Sequence, residues 1–220
     1  FDYLKFKKIF KEENIFLIVD TFQINENIQR NLKKYKLKWL QFDNFNKQNK
    51  RIYADIVLNA NPLVKKKDYK ERVVNAQKKT HLLLGEKYNI LRDEFNKIYT
   101  EQKNKILICS GAGYEDHGMI LETLKILLKN FNSLKIIVIL QKKDPREKKI
   151  ISLKKNGNQI FLIKDTKKIS YYFSQSYLSI TSGGNVLIES LIYNLKRIVI
   201  STASNQIRQC KAWNKIKYIN

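Results

Sequence analysis

Residues 179–206 read SITSGGNVLIESLIYNLKRIVISTASNQ. A short run rich in β-branched residues, 178–181, gives way to the loop Ser182-Gly183-Gly184-Asn185 and then to a helical pattern over 186–194. A second such run follows at 197–201 (RIVIS), and Asn205 opens a final helix. Strand, loop, helix and strand in that order form a βαβ unit with parallel strands.

The same alternation extends outward in both directions. Upstream, residues 106–109 form a strand that enters the Gly-bearing turn SGAG at 110–113, followed by a helix over 119–129. LKIIVIL at 134–140 is a central strand, and Asp144-Pro145 separates it from a helix near 146–155 that stops at Asn156-Gly157. QIFLI at 159–163 and a helix at 169–174 complete the second half. In the first half, IFLIV at 15–19 reads as a buried strand ending at Asp20. A helix at 25–35 and strands at 37–42 (LKWLQF), 54–58 (ADIVL) and 80–84 (THLLL) follow. The polar stretch 92–105 has no Gly or Pro and is expected to begin as a helix. The pattern predicts an α/β chain of two Rossmann-like domains with parallel sheets, divided as 1–100 and 101–220. Residues 1–14 read as the middle of a domain, so the first domain is expected to be incomplete. No repeat appears at a solenoid period.

Composition narrows the classes. Of 220 residues, 43% are hydrophobic and 29% charged, with only seven Gly and two Pro, which excludes collagen-like and low-complexity chains. No apolar run reaches the roughly 18 residues of a membrane span. Two Cys, Cys109 in a strand and Cys210 in a helix, make no disulfide framework, and a reducing cytoplasmic setting follows. Lys+Arg 43 against Asp+Glu 20 gives a net charge of +23. The basic residues are spread over every segment and are mostly Lys, rather than the bidentate Arg of base readout. The charge therefore reads as a solvated coat that draws in small anions, with no dedicated nucleic-acid surface.

In open parallel sheets, ligands bind where the carboxyl ends of strands lead into helices. Three loops qualify. At Ser110-Gly111-Ala112-Gly113, small residues let backbone N–H groups approach a phosphate. At Ser182, Gly183, Gly184 and Asn185, backbone donors can face a diphosphate, and Glu189 one turn later can accept the hydroxyls of a ribose. At 202–206 (TASNQ), Asn205 and Gln206 can reach sugar or phosphate oxygens. A Gly pair before a helix is equally a tight turn; three such loops on one sheet edge are a stronger signal.

Residues 179–206 resemble the nucleotide-sugar-binding half of GT-B proteins, two-domain enzymes that include the glycosyltransferase making lipid II. ADIVLNAN at 54–61, Asp68-Tyr69, LGEKYNILRDEF at 84–95, VDTFQI at 19–24 and the Phe42-Asp43 strand end are similar to one family. That family is the UDP-2,4-diacetamido-2,4,6-trideoxy-β-L-altropyranose hydrolase of pseudaminic acid synthesis, with its spore-coat relatives. The resemblance spans nearly the whole chain. It implies hydrolysis at the anomeric carbon of a UDP-linked sugar with inversion, UDP leaving; no cofactor or metal is expected, and nothing in the sequence requires more than a cytoplasmic monomer. It also implies that Gly183, Gly184, Ser110 and Gly111 face the diphosphate, Glu189 holds the ribose, and Asn205 is an active-site residue near the sugar.

The departures are specific. The family's catalytic His sits in a Gly-x-Gly-His loop after its first strand, and this chain has no such loop. The family's Asp-x-Tyr reads Asp20-Thr21-Phe22, which loses a hydroxyl, and SGAGYEDHG replaces a Gly-Gly-Ser-Asp-like turn. The chain by itself is expected to bind nucleotide poorly and to hydrolyse nothing. A GT-B glycosyltransferase and a non-catalytic UDP-sugar-binding protein stand as alternatives, and a nucleic-acid binder is the composition-only one. His81 reads as structural and His117 as part of a solvated turn, since Glu115, Asp116 and His117 are adjacent rather than at ligand spacing. Trp39 and Trp213 read as packing aromatics. Arg92 matches the family pattern and also reads as a simple ion-pair residue.

Overall fold

The computed structural model describes residues 15–21, 23–43, 51–74, 80–97, 99–100, 103–111, 116–153 and 157–216. The sequence expectations for Phe22, for Ala112 and Gly113, for Glu115 and for residues 1–14 lie outside these. The chain divides into two compact units between Asn89 and Ile90. Each unit carries one all-parallel sheet.

The first sheet has four strands in the order β1-β2-β3-β4: β1 (Phe16–Val19), β2 (Lys38–Phe42), β3 (Ile56–Asn59) and β4 (His81–Leu84). Helix α1 (Glu26–Lys34) joins β1 to β2. It starts at Asn25 because the Asn25 carboxamide accepts the Ile28 N–H at 3.0 Å, with Glu26 in the first turn and Lys33 and Lys34 in the last, complementing the helix dipole. One face of the sheet, including Trp39 and Val57, packs with Leu32 of α1 and with Ile24, Ile52 and Tyr69. The β1 run is not the buried strand that its composition suggests, since Phe16 is 50% exposed and Ile18 is 72% exposed. Among the described residues β1 pairs with β2 alone, and of its side chains Leu17 and Val19 pack against the core.

The second sheet has five strands in the order β7-β6-β5-β8-β9. They are β5 (Lys105–Cys109), β6 (Lys135–Leu140), β7 (Gln159–Lys164), β8 (Ser176–Ser182) and β9 (Lys196–Ile200). The helices are α2 (Met119–Asn130), α3 (Glu147–Ser152), α4 (Ile169–Ser174), α5 (Asn185–Ser190) and α6 (Ser204–Lys215). Alternation along β5 and β6 explains why their sequences are continuously apolar. Ile106, Ile108, Ile136 and Val138 face one core with Met119, Leu124 and Ile150 of α2 and α3. Leu107, Cys109, Ile137 and Ile139 face a second core with Phe173 of α4 and Val186 of α5. Both faces are covered, as in a doubly wound α/β domain.

Two segments depart from local propensity. The stretch expected to begin as a helix at Arg92 forms one 3-10 turn, Asp93–Asn96, within the second unit. Its side chains are drawn into tertiary contacts: Phe95 is 6.3 Å from both Phe173 and Tyr193, ring to ring, and Glu94 accepts the Ser170 N–H and hydroxyl. Helix α5 ends at Ser190 rather than running to Asn194. Arg197 gathers the carbonyls of Ser190, Tyr193 and Leu195, so the chain curls around a guanidinium. No helix among the described residues is long and apolar enough to cross a membrane.

Candidate functional site

The carboxyl ends of β5, β8 and β9 lead into the three loops singled out from the sequence, and side chains cross-link them. Ser182, the buried last residue of β8, donates its hydroxyl to the Ser110 carbonyl after β5 at 2.8 Å. Gly111 follows at φ +85°, a left-handed conformation that favours glycine, 3.6 Å from Ser182 Oγ as measured from an added Cβ. Gln206, in the first turn of α6, binds the other two loops together. Its Oε1 accepts the Gly183 N–H at 3.1 Å, the Thr202 N–H at 3.0 Å and the Thr202 hydroxyl at 3.3 Å.

Gln209, one turn further along α6, donates to the Gly183 carbonyl at 3.1 Å and the Gly184 carbonyl at 3.4 Å. The helix therefore grips the glycine loop from both its N–H and its C=O side. The approach is so close that a Cβ on Gly183 would lie 2.2 Å from Cys210 Sγ and 3.2 Å from Gln206 Cβ. Glycine at 183 is set by helix contact rather than by its own backbone angles. Sequence reasoning missed Gln209, although its spacing of three from Gln206 puts both amides on one helix face.

These contacts redistribute the roles expected from sequence. The Gly183 N–H is spent on Gln206, and the Gln206 oxygen on the loops, so what faces outward is Gly184, exposed Asn185 and exposed Asn205. Among the described residues no side chain caps the N-terminus of α6, and in its first turn the Gln206 N–H donates to the Ala203 carbonyl at 3.0 Å. Glu189 is buried at 5% exposure. Its carboxylate holds Arg92 in a two-pronged pair, Nε to Oε1 at 2.7 Å and Nη2 to Oε2 at 2.8 Å, across 97 residues of sequence. Hydrogen bonding to Glu189 raises the Arg92 pKa. No local signal could reveal such a partner. Cys109, beneath the rim, is a strand residue whose thiol burial pushes up to about 11.

Beside the first loop lies a second group that the sequence did not disclose. Asp116 caps α2 by accepting the Gly118 N–H at 3.0 Å and the Ile120 N–H at 3.2 Å. Arg146 joins Asp116 to Asp144, donating to Asp144 through Nε at 2.8 Å and Nη2 at 2.6 Å. Two N–H groups at the N-terminus of α2 are thus already bonded to a carboxylate. His117, at φ +50°, is exposed in that turn. Among the described residues, no three His, Cys, Asp or Glu gather to hold a metal ion.

The first unit has its own polar group at the carboxyl ends of β2 and β3. Asn59 donates to the Tyr69 hydroxyl at 2.9 Å, Tyr69 to Asp43 at 2.7 Å, and Arg72 to the same carboxylate at 2.7 Å. Burial raises the Tyr69 pKa, and the Asp43 charge adds to it.

No family model matches the chain. It is 30% identical over 205 residues to an uncharacterized protein of Methanocaldococcus jannaschii, covering 88% of this chain and 41% of that protein. It is 28% identical over 204 residues to the UDP-2,4-diacetamido-2,4,6-trideoxy-beta-L-altropyranose hydrolase of Campylobacter jejuni, covering 90% of this chain and 70% of that protein. Among solved structures, MurG of Acinetobacter baumannii superposes with a TM-score of 0.60 at 14% identity, over 97% of this chain and 60% of that one. The chain thus spans less than two thirds of the length of two of these three proteins. The fold is α/β of the GT-B type, with two parallel sheets.

Proposed function

We propose that this chain belongs to an enzyme acting on nucleotide sugars, and within that class to a hydrolase that cleaves the anomeric C–O bond of a UDP-linked deoxy amino sugar in nonulosonic acid synthesis. The observation that carries the reading is the cross-linked rim: Ser110–Ser182 and Gly183–Gln206–Thr202 lock three strand-to-helix loops into one surface. Supporting it are the 28% identity to a protein named as such a hydrolase, over 90% of this chain, and a net charge of +23 that favours an anionic substrate.

In this reading the diphosphate lies along Gly184, Asn185 and the first turn of α6. Water adds to the anomeric carbon and gives up one proton to solvent, the bond to the glycosidic oxygen breaks, and its electron pair leaves on the β-phosphate of UDP. Backbone N–H groups of the rim and the Asn185 carboxamide stabilise that developing charge. Asn205, exposed on the first turn of α6, orients the sugar or the attacking water. Glu189 takes the ribose. The partner is a cytoplasmic UDP-sugar met by a monomer.

The test is calorimetry with UDP at physiological salt, with UMP and a random oligonucleotide as controls, followed by UDP release from a UDP-linked diacetamido sugar. Saturable UDP binding stronger than UMP binding is expected, weakened by Asn185→Ala, with UDP released in the absence of any acceptor once a segment carrying the family's Gly-x-Gly-His loop is joined to this chain. Release only when a sugar acceptor is added points to a glycosyltransferase. Oligonucleotide binding without a UDP signal overturns the reading.

A further inference from the structure

The ion pair between Arg92 and Glu189 is more elaborate than a structural tie needs. A carboxylate offers about four acceptor positions. The two bonds from Arg92 occupy half of them, and no other described residue donates to Glu189. A side chain that is 7% exposed thus keeps unfilled acceptor capacity at the carboxyl edge of the sheet, one turn beyond Gly184.

Arg92, half-exposed, is itself held by two further contacts. Its Nη1 lies 3.0 Å from Glu94 Oε1, and its guanidinium carbon is 5.4 Å from the centre of the Phe95 ring. Glu94 is anchored in turn, because its other oxygen accepts the Ser170 N–H and hydroxyl at 3.1 Å each. The start of α4, the turn Asp93–Asn96 and α5 are pinned through this one cation. Without it, a carboxylate so deeply buried would lose the partner that fixes its rotation. The two-pronged pair holds both oxygens in a single orientation.

We infer that Arg92 is a positioning residue that presents Glu189 as acceptor for the paired hydroxyls of a ribose, and so sets a preference for ribonucleotides over 2′,3′-dideoxyribonucleotides. This rests on the nucleotide-sugar reading above. Arg92 does not touch the nucleotide; it acts through the carboxylate. The consequence is separable from stability, since loosening a fold weakens both nucleotides alike whereas losing the presented carboxylate weakens only the one with hydroxyls.

The experiment measures affinity for UDP and for 2′,3′-dideoxy-UDP on the wild-type chain, Arg92→Met, Arg92→Lys and Glu189→Gln, with near-ultraviolet circular dichroism to establish folding. Hydrogen bonds to a charged acceptor lead to a wild-type preference for UDP of about tenfold or more. The ratio should fall to near one in Glu189→Gln and in Arg92→Met. Arg92→Lys keeps the cation but loses the fork, and should give an intermediate ratio even where the Met variant does not fold. Arg92 variants that keep the wild-type ratio while Glu189→Gln loses it overturn the role of Arg92 and leave the ribose site standing. A ratio near one in the wild type, or one retained in Glu189→Gln, overturns the ribose site and this inference with it.

Discussion

Gly183 illustrates how much one missing methyl group can decide. Placing a Cβ there sets it 2.2 Å from Cys210 Sγ, a separation that packed atoms do not tolerate. Gly183→Ala should therefore push α6 outward and cost about 1–3 kcal/mol, the usual range for overpacking. Urea denaturation measures it. Removing the opposing sulfur in Gly183→Ala/Cys210→Ala should recover part of the loss, giving a coupling energy of about 0.5 kcal/mol or more. Additive losses would mean that the clash lies elsewhere. The two thiols differ in the same physical terms. Cys109 is buried in the second core, and burial raises its pKa to about 11, above the value of about 8.5 for a free thiol. The folded state thus favours the protonated form, a contribution fully present below about pH 8.5 and lost as pH rises through about 11. Cys210 is only partly buried. A thiol-reactive disulfide reagent at pH 8 should label Cys210 in the folded chain, and Cys109 only as the chain unfolds.

At the scale of elements, the parallel strands were legible because their sequences alternate towards two cores or one. The strand at 134–140 is apolar throughout because both its faces are covered, and that pattern needs no tertiary knowledge. Edge position was not legible. IFLIV at 15–19 looks as buried as any central strand, yet Phe16 and Ile18 face outward, and among the described residues β1 pairs with β2 alone. The ends of elements were missed where a distant side chain sets them, as Arg197 does for α5 and Arg92, Glu94 and Phe95 do for the turn at 93–96. The Asp116–Arg146–Asp144 group is of this kind, and it ties the start of α2 to the loop after β6. Burial alone would raise the Asp144 pKa, but hydrogen bonds and charge from Arg146 outweigh it, and the net shift is downward. A depressed carboxylate contributes stability above its unfolded pKa of about 3.9, and that contribution is lost as pH falls through the lower folded value. Thermal melts between pH 7 and pH 3 should accordingly show a decline that Asp144→Asn flattens. Arg146→Met should cost more than Asp144→Asn, about 3 kcal/mol or more at pH 7, because it leaves two carboxylates buried without their cation.

For the whole molecule, order and spacing of motifs located the sheet edge and its loops, and the folded chain brings Ser110, Ser182, Gly183 and Gln206 together through direct bonds. The roles within that edge were not legible. Sequence spacing cannot reveal that the Gly183 N–H is spent on a helix or that a guanidinium 97 residues away holds Glu189. Such contacts depend on which helix packs where, and packing belongs to the fold rather than to any local window. Net charge belongs to this scale as well. A balance of +23 on 220 residues repels itself in the compact state, most strongly when little salt is present. The screening length falls from about 30 Å at 0.01 M salt to about 8 Å at 0.15 M, so the melting temperature should rise over that interval. The same titration separates two kinds of binding. Oligonucleotide association with a diffuse Lys coat releases counterions, and its affinity should fall steeply and linearly in log–log form, with a slope growing with the number of phosphates contacted. On the proposed reading UDP is held at the rim and presents one short anion, and its affinity should fall with a slope several times shallower. Equal slopes would mean that the charged coat, rather than the rim built by Ser110, Ser182, Gly183 and Gln206, is what binds the nucleotide.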